Sequence, residues 1–318
     1  GIGDLNQINF EKFLSDKSVL VKPYIDQNFE GLTGESTNKD LELMFQLINM
    51  YFTDYNKDNE AFDNYIDQYR NTILNNGNNP QTVFRDSIVA NVNDYHYRSL
   101  PITLNKINDI TLDQVYNFYE SRFDNAYGYT FIFVGNIDEE KFFNYINKYI
   151  TTLPSAYENH QWVDLNMTYP KGITSKEIYK GIEPKSIVYI SFKGDKDWNV
   201  QDSYNINSLS SALDILLTEV IREELGGVYF IGTYGDISRI PNDTYSFSIY
   251  FGCDPENVEN IINAIHEQID IIKSSGFDVS YLDKVKNSQL NTYEKSINEN
   301  EFWLNSLTTL YTDNHHGA

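Results

Sequence analysis

The stretch Thr244-Tyr-Ser-Phe-Ser-Ile-Tyr-Phe251 decides the fold class, because its side chains alternate between two faces. In an extended strand, the apolar residues at 245, 247, 249 and 251 point to one side, whereas Ser246, Ser248 and Tyr250 point to the other. One buried face and one mostly polar face are typical of an antiparallel sheet that carries helices on a single side. The stretch therefore predicts an α+β protein.

Helical patterns flank this strand on both sides. Asp254 and Pro255 follow it and predict the N-cap and first turn of a helix. A longer helix is predicted from about 199 to 224, after strands at 176–180 and 186–193. A similar order of strand, capped helix, polar loop and second helix occurs at 27–72 and at 244–297. Although the two copies share few identical residues, the repeated pattern predicts two homologous α+β domains.

The predicted domains are separated by a segment without periodicity. Residues near 152–174 contain Pro154, Pro170 and several polar residues, which is typical of a linker. We predict a first domain over 1–153, a linker over 154–174 and a second domain over 175–318. In the first domain we expect strands at 18–24, 27–32 and 129–135, and a helix that begins with a capping box of Thr37 and Asp40.

Composition limits the classes of partner and site. The chain has 318 residues and a net charge of -22, so nucleic acid is a poor partner. No apolar run approaches the roughly eighteen residues of a membrane span. Because Cys253 is the only cysteine, an internal disulfide framework and a multi-cysteine metal site are excluded. The sequence begins at Gly1 and contains no initial Met and no signal-like segment, which favours a processed protein or a fragment and leaves the compartment undetermined.

The sequence contains no recognisable catalytic motif. It lacks a P-loop, a GxGxxG loop and a G-x-S-x-G nucleophile elbow. None of its histidines stands in HxxEH or HExxH; His266, for example, is followed four residues later by Asp270. The terminal pair could bind metal only adventitiously. We therefore predict no catalytic and no metal-binding residue among the five histidines, which are His96, His160, His266, His315 and His316.

The segment Arg222-Glu-Glu-Leu-Gly-Gly-Val-Tyr229 joins the predicted long helix to the following strand. Gly226 and Gly227 permit the left-handed backbone that ends a helix and turns the chain sharply. Arg222 and Tyr229 can then both reach a passing peptide backbone, through guanidinium and phenol hydrogen bonds. A second interpretation is a simple helix end, with Arg222 placed near the negative end of the helix dipole.

Further motifs follow one another in a set order along the chain. They are Gly34-Glu-Ser-Thr-Asn-Lys-Asp40, Phe133-Val-Gly-Asn-Ile-Asp138, Gly181-Ile-Glu-Pro-Lys185, Phe251-Gly-Cys-Asp-Pro-Glu-Asn-Val258 and Asn300-Glu-Phe-Trp303. Together with the segment from Arg222 to Tyr229, this ordered set resembles the C-terminal half of zinc peptidases of the pitrilysin/insulinase family. The likeness is greatest to the third and fourth domains of large bacterial periplasmic-type proteases.

The resemblance implies a function for the chain. Proteases of this family consist of four homologous α+β domains, arranged as two halves that close around a peptide. Zinc is bound by the N-terminal half, with HxxEH and a distal Glu, whereas the C-terminal half completes the chamber. The resemblance thus implies that Arg222 and Tyr229 bind the substrate backbone and that this chain holds no zinc. It also implies truncation at both ends and a periplasmic or otherwise exported protein, although a cytoplasmic one stays open.

Two alternatives from other classes stay open at this point. The chain could be a metal-free scaffold or partner subunit of a heteromeric peptidase, since the family includes such pairs. It could also be a free-standing peptide-binding module. A scaffold subunit would have its own start codon and a complete first domain with a degenerate HxxEH motif, so the native reading frame distinguishes these cases.

Overall fold

A computed structural model describes residues 1–159 and 162–315 of the chain, apart from the side chains of 313–315. The described residues form two compact units. The first contains 1–75 and the described parts of 102–163 and 296–318; the second contains 76–101 and 164–295. Each unit thus includes a segment that is distant in sequence from its main part. The boundaries predicted from the sequence divide the chain into three consecutive segments, 1–153, 154–174 and 175–318, and they stay a prediction.

The described residues form five β-strands and eleven α-helices. The strands are β1 Val19–Ile25, β2 Glu30–Ser36, β3 Ser186–Asp195, β4 Val228–Ser238 and β5 Thr244–Cys253. The helices are α1 Gln7–Leu14, α2 Leu41–Thr53, α3 Asn59–Asn76, α4 Pro80–Val92, α5 Leu104–Asn108, α6 Leu112–Phe123, α7 Glu139–Tyr145, α8 Val200–Leu217, α9 Val258–Ser275, α10 Val279–Ser296 and α11 Asn300–His315. Short 3₁₀ turns span Tyr97–Ser99 and Pro255–Asn257, and π-helical segments span Ile146–Ile150 and Thr218–Leu225. Among the described residues, no helix combines the length and apolarity needed to cross a membrane.

The first unit packs α2 and α6 in one hydrophobic core. Its strands β1 and β2 form an antiparallel pair, in register from Val19 opposite Ser36 to Ile25 opposite Glu30. Phe45 and Phe52 of α2 and Phe123 of α6 are almost fully buried, and the rings of Phe52 and Phe123 meet at 5.8 Å. Aromatic edge-to-face contacts of this kind add to the burial of apolar area.

Two predictions in the first half of the chain are wrong in detail. No β-ladder forms over 129–135, although Phe131 and Phe133 still pack against the core. An apolar run shows that a segment is buried but does not show whether it pairs with a strand. Helix α2 does begin after Asp40, yet that carboxylate makes no capping bond; it accepts the N–H of Ser18 at 2.9 Å and so ties α2 to the start of β1.

The second unit is built around β5. Its sheet has the order β3-β5-β4, with both pairings antiparallel. Ile249, Phe251 and Cys253 of β5 are fully buried and belong to one core cluster with residues of α8 and α9. Tyr250, between them, is exposed on the other face. The predicted alternation is therefore confirmed from Ile249 to Phe251, although Ser248, on the same face as Tyr250, is also buried. The α+β class with antiparallel sheets and packed helices is confirmed.

Other segments of the second half differ from the predictions. The strand expected at 176–180 is absent from the described structure, in which that segment forms no ladder. The helix expected from 199 to 224 is α-helical only to Leu217 and continues as a π-helix to Leu225. The second helix of the pattern predicted at 244–297 is α10, and a separate helix, α11, follows after a break at 297–299.

Candidate functional site

The turn between the π-helical segment and β4 has the backbone that its glycines predict. Gly226 has φ 72° and ψ -174°, and Gly227 has φ 87°. Residues with a Cβ atom rarely adopt these angles. Two consecutive glycines therefore let the chain change direction within a few bonds, between the helical turn that carries Arg222 and the strand that carries Tyr229.

Tyr229 lies at an irregularity of the sheet. Val228 pairs with Cys253 and Phe230 pairs with the adjacent Gly252, so Tyr229 is an extra residue in β4. Such a β-bulge bends the strand locally and redirects a side chain, and bulges are frequent beside binding sites. The Tyr229 side chain is 49% exposed. It is thus directed to solvent at the end of the sheet where β4 begins and β5 ends.

The phenol of Tyr229 has a charged partner. Its hydroxyl donates a hydrogen bond to Oδ1 of Asp254, with an O–O distance of 2.5 Å. This bond, more than burial, raises the pKa of Tyr229, because ionisation would place a phenolate beside a carboxylate. Asp254 and Pro255 occupy the predicted N-cap and first-turn positions of the turn Pro255–Asn257, but the Asp254 side chain makes no capping bond.

Lys185 is a nearby cation. It forms an ion pair with Glu183 at 2.7 Å. The hydrogen bond to Glu183 is the main reason that the pKa of Lys185 is raised, and the charge of Asp254 contributes to a smaller extent. Asp254 therefore lies within electrostatic reach of Lys185, but its hydrogen bond goes to Tyr229.

Arg222 lies in the π-helical segment and is exposed. Its neighbour Ile221 is fully buried and anchors this turn to the core. Within the described part of the chain, the Arg222 side chain makes no hydrogen bond or ion pair. π-Helical segments are rare and are frequent at functional sites. The guanidinium and the phenol thus stand on two sides of one Gly-Gly turn, with the donors of Arg222 available to a ligand.

An aromatic surface next to Tyr229 escaped the sequence analysis. The rings of Phe230 and Tyr250 lie 6.1 Å apart on the open face of the sheet, and both are partly exposed. They cover two glycines: a Cβ on Gly252 would meet the Phe230 ring at 2.5 Å, and one on Gly232 would meet the Tyr250 ring at 2.6 Å. The alternation of side chains in β5 predicts from the sequence that Tyr250 lies on this face. That Phe230 of β4 lies beside it depends on the register between the two strands, which the sequence does not show.

The remaining candidates have structural roles. Nε2 of His96 lies 3.1 Å from the Leu165 carbonyl oxygen, and Nδ1 accepts the N–H of Arg98. Cys253 is buried in the core, and burial raises the pKa of its thiol. In the described residues, no group of three or more His, Cys, Asp or Glu side chains is placed to hold a metal ion. The predictions for His160, His315 and His316 fall outside the side chains that the structure describes.

Comparison with known families decides the assignment. Residues 109–289, more than half of the chain, match the family described as the peptidase M16 inactive domain. The chain belongs to this family. Membership confirms the resemblance to the C-terminal half of pitrilysin-type zinc proteases, and the matched residues include Arg222, Tyr229 and Asp254.

Individual relatives agree with this assignment. The chain is 22% identical over 293 residues to a probable zinc protease PqqL of Haemophilus influenzae, covering 89% of this chain and 30% of that protein. The fold resembles the periplasmic protease PqqL from Escherichia coli, with a TM-score of 0.80, 16% identity and coverage of 97% of this chain and 34% of that one. It also resembles a peptidase M16 inactive domain from Pseudomonas fluorescens, with a TM-score of 0.67, 14% identity and coverage of 91% and 70%. This inactive domain thus spans about a third of the length of the PqqL proteins.

Proposed function

We propose that this M16 inactive domain is the zinc-free half of a zinc-dependent peptidase. In this role it closes the chamber around a peptide and holds the peptide backbone for hydrolysis at a zinc ion bound by the N-terminal half. The family match and the zinc proteases among its relatives support this role. The described residues do not themselves suit a zinc ion, because they provide no cluster of suitable ligands. By itself, the chain is expected to have no peptidase activity.

The presentation of Arg222 and Tyr229 carries the proposal. Both side chains are exposed, whereas the residues that anchor them, Ile221 and Cys253, are buried. A guanidinium carries only donors and suits a peptide carbonyl, and a phenol can make a second bond to the backbone. Holding a peptide in a reactive position can supply several kcal/mol of a barrier reduction. A site that contacts only the peptide backbone would accept substrates with many different side chains.

The partners and location follow from the same assignment. The ligand is a peptide or small protein, and the physical partner is the N-terminal half of the same protease or a catalytic partner chain. The net charge of -22 disfavours nucleic acid. We place the protein in the periplasm or another exported location, in line with the E. coli relative described as a periplasmic protease.

Two substitutions in the full-length protease test the site. Arg222→Ala and Tyr229→Phe should each lower kcat/KM for a peptide by about fivefold to a hundredfold, the usual effect of removing one hydrogen bond to the transition state. The zinc content should not change. Arg98→Ala and Tyr311→Phe are matched controls, because both side chains are exposed and neither belongs to the segment from Arg222 to Tyr229. Unchanged turnover in both site variants would remove the assignment.

The native reading frame tests the wider proposal. Upstream of Gly1, it should encode HxxEH with a distal Glu. If a start codon is found nearby without this motif, the chain is a metal-free subunit and its catalytic partner is a separate protein.

A further inference from the structure

Lys193 is a half-buried cation without an acidic partner. It lies on β3, opposite Ser246 of β5, and its Nζ is 3.4 Å from the Val92 carbonyl oxygen and 3.4 Å from Oδ1 of Asn93. Both distances exceed the usual range of N–H to O hydrogen bonds. Burial lowers the pKa of Lys193, and among the described residues its ammonium forms no ion pair. An anion at this position would offset a desolvation cost that the fold compensates only in part.

A second lysine shares a tyrosine ring with Lys193. The Nζ atoms of Lys171 and Lys193 lie 4.2 Å and 5.7 Å from the centroid of Tyr169. The Tyr169 hydroxyl donates to Oδ1 of Asp195 at 2.8 Å, which fixes the position of the ring. Contacts with an aromatic face hold an ammonium in place but do not neutralise its charge. These two residues, the lysine pair, are thus held together, and Lys171 also forms no ion pair within the described chain.

The turn that contacts Lys193 is strained. Asn93 is followed by Asp94 and Tyr95, whose φ angles of 49° and 55° lie in the left-handed region. Strained non-glycine residues of this kind cluster at binding and active sites. Lys176 holds Tyr95, with its Nζ 2.7 Å from the hydroxyl oxygen, and so adds a third positive charge to this turn. Asp94 is exposed and pairs with no cation in the part of the chain that the structure describes.

The position of Lys193 relates it to the Gly-Gly turn. Alternate residues of a strand share a face, so Lys193 lies on the same side of the sheet as Tyr189, which pairs with the exposed Tyr250. From Ser246 to the end of β5 where β4 bulges at Tyr229, the strand runs for about six residues, or about 20 Å. An extended peptide held at Tyr229 therefore reaches Lys193 after about six residues.

We propose that the lysine pair binds a carboxylate of the peptide substrate, about six residues from the position held at Arg222 and Tyr229. The spacing rests on the proposed function, whereas the carboxylate site rests on the lysine pair itself. Ammonium groups bind a carboxylate through their charge and their N–H donors. The carboxylate belongs to an Asp or Glu side chain or to the C-terminus of the peptide. Because the whole chain carries a net charge of -22, this local positive charge selects acidic substrates that the remaining surface repels.

Peptides that differ by one charge provide the probe. With the full-length protease, Glu placed about six residues from the scissile bond should raise kcat/KM by about twofold to fivefold over Gln, the range of one exposed ion pair. Amidation of the C-terminus tests the other source of the carboxylate in the same way. Lys171→Gln and Lys193→Gln should each reduce the preference, and the double variant should abolish it. Turnover of the uncharged peptide should change by less than about twofold.

Two variants serve as matched controls. Lys193→Arg keeps the charge and should retain the preference. Lys286→Gln removes an exposed lysine of α10 that is not part of the lysine pair, and it should leave the preference unchanged. Thermal melting of each variant confirms folding. If Lys193→Gln lowers Tm but the preference for the charged peptide stays intact, the lysine only stabilises the C-terminal end of α4 and the proposal is refuted.

A binding measurement separates this proposal from the proposed function. Fluorescence anisotropy of the same peptides on the full-length protein, with metal removed by a chelator, reports the preference without hydrolysis. If Arg222→Ala and Tyr229→Phe impair turnover but no charged peptide is preferred, the carboxylate site is refuted and the proposed function stands.

The remaining outcomes are equally distinct. If binding of the charged peptide is lost in Lys171→Gln/Lys193→Gln while Arg222→Ala and Tyr229→Phe leave turnover unchanged, the proposed function fails and the carboxylate site stands. A preference that persists in the double variant refutes the lysine pair, and a preference confined to another distance refutes the alignment along β5. Loss of the preference in the double variant, with retention in Lys193→Arg, confirms the proposal.

Discussion

Replacing Gly226 by alanine should lower the free energy of unfolding of this protein by about 1 to 3 kcal/mol. The backbone at Gly226, with φ 72° and ψ -174°, lies in a region that is essentially restricted to glycine. A Cβ built there meets no other atom within 4 Å. The whole cost therefore comes from the backbone angles and none from a steric clash. The same strain would move the turn that separates Arg222 from Tyr229.

Gly276 provides a matched control. It ends helix α9 with φ 76° and ψ -178°, and its Cβ position is equally open. Gly276→Ala should therefore cost the same 1 to 3 kcal/mol in a urea titration followed by far-ultraviolet circular dichroism. If the proposed function holds, Gly226→Ala in the full-length protein should also reduce peptide turnover severalfold at a temperature where both variants are folded, whereas Gly276→Ala should not. A loss of stability below about 0.5 kcal/mol in both variants would refute the backbone argument. Equal effects on turnover would refute the link to the site.

Two further predictions concern the cores. Phe251→Ala should lower the free energy of unfolding by about 3 to 5 kcal/mol, because Phe251 is fully buried in β5. Its exposed neighbour is the control, and Tyr250→Ala should lower it by less than about 1 kcal/mol. Equal losses in urea titrations would contradict a sheet with one buried and one exposed face. Burial raises the pKa of Tyr119, whose hydroxyl donates to the Tyr51 carbonyl at 2.8 Å, so the folded state keeps a proton that an unfolded tyrosine releases near pH 10. The contribution of the protonated Tyr119 to stability is thus complete below about pH 10 and is lost as the pH rises further. Tyr119→Phe should therefore flatten the fall of the free energy of unfolding between about pH 9 and 11. An unchanged slope would assign that fall to other groups.

The sequence determined those features that depend on consecutive residues. The alternation from Thr244 to Phe251 fixed which side of β5 is buried, because neighbouring side chains in a strand must point in opposite directions. Gly226 and Gly227 fixed a left-handed turn, since the requirement for a missing Cβ is local. The ordered motifs were sufficient to indicate the family.

The tertiary structure decided which residues meet. The segments at 129–135 and 176–180, of which only the first is an apolar run, contain nothing that shows whether a neighbouring strand is present, and neither joins a ladder. Asp254 looks like a helix cap in the sequence, because an acid before proline suits that position. Its partner, Tyr229, lies 25 residues earlier and reaches it only because β4 pairs with β5 and bulges at that residue. Strand register and bulges arise from contacts distant along the chain, which no local pattern specifies.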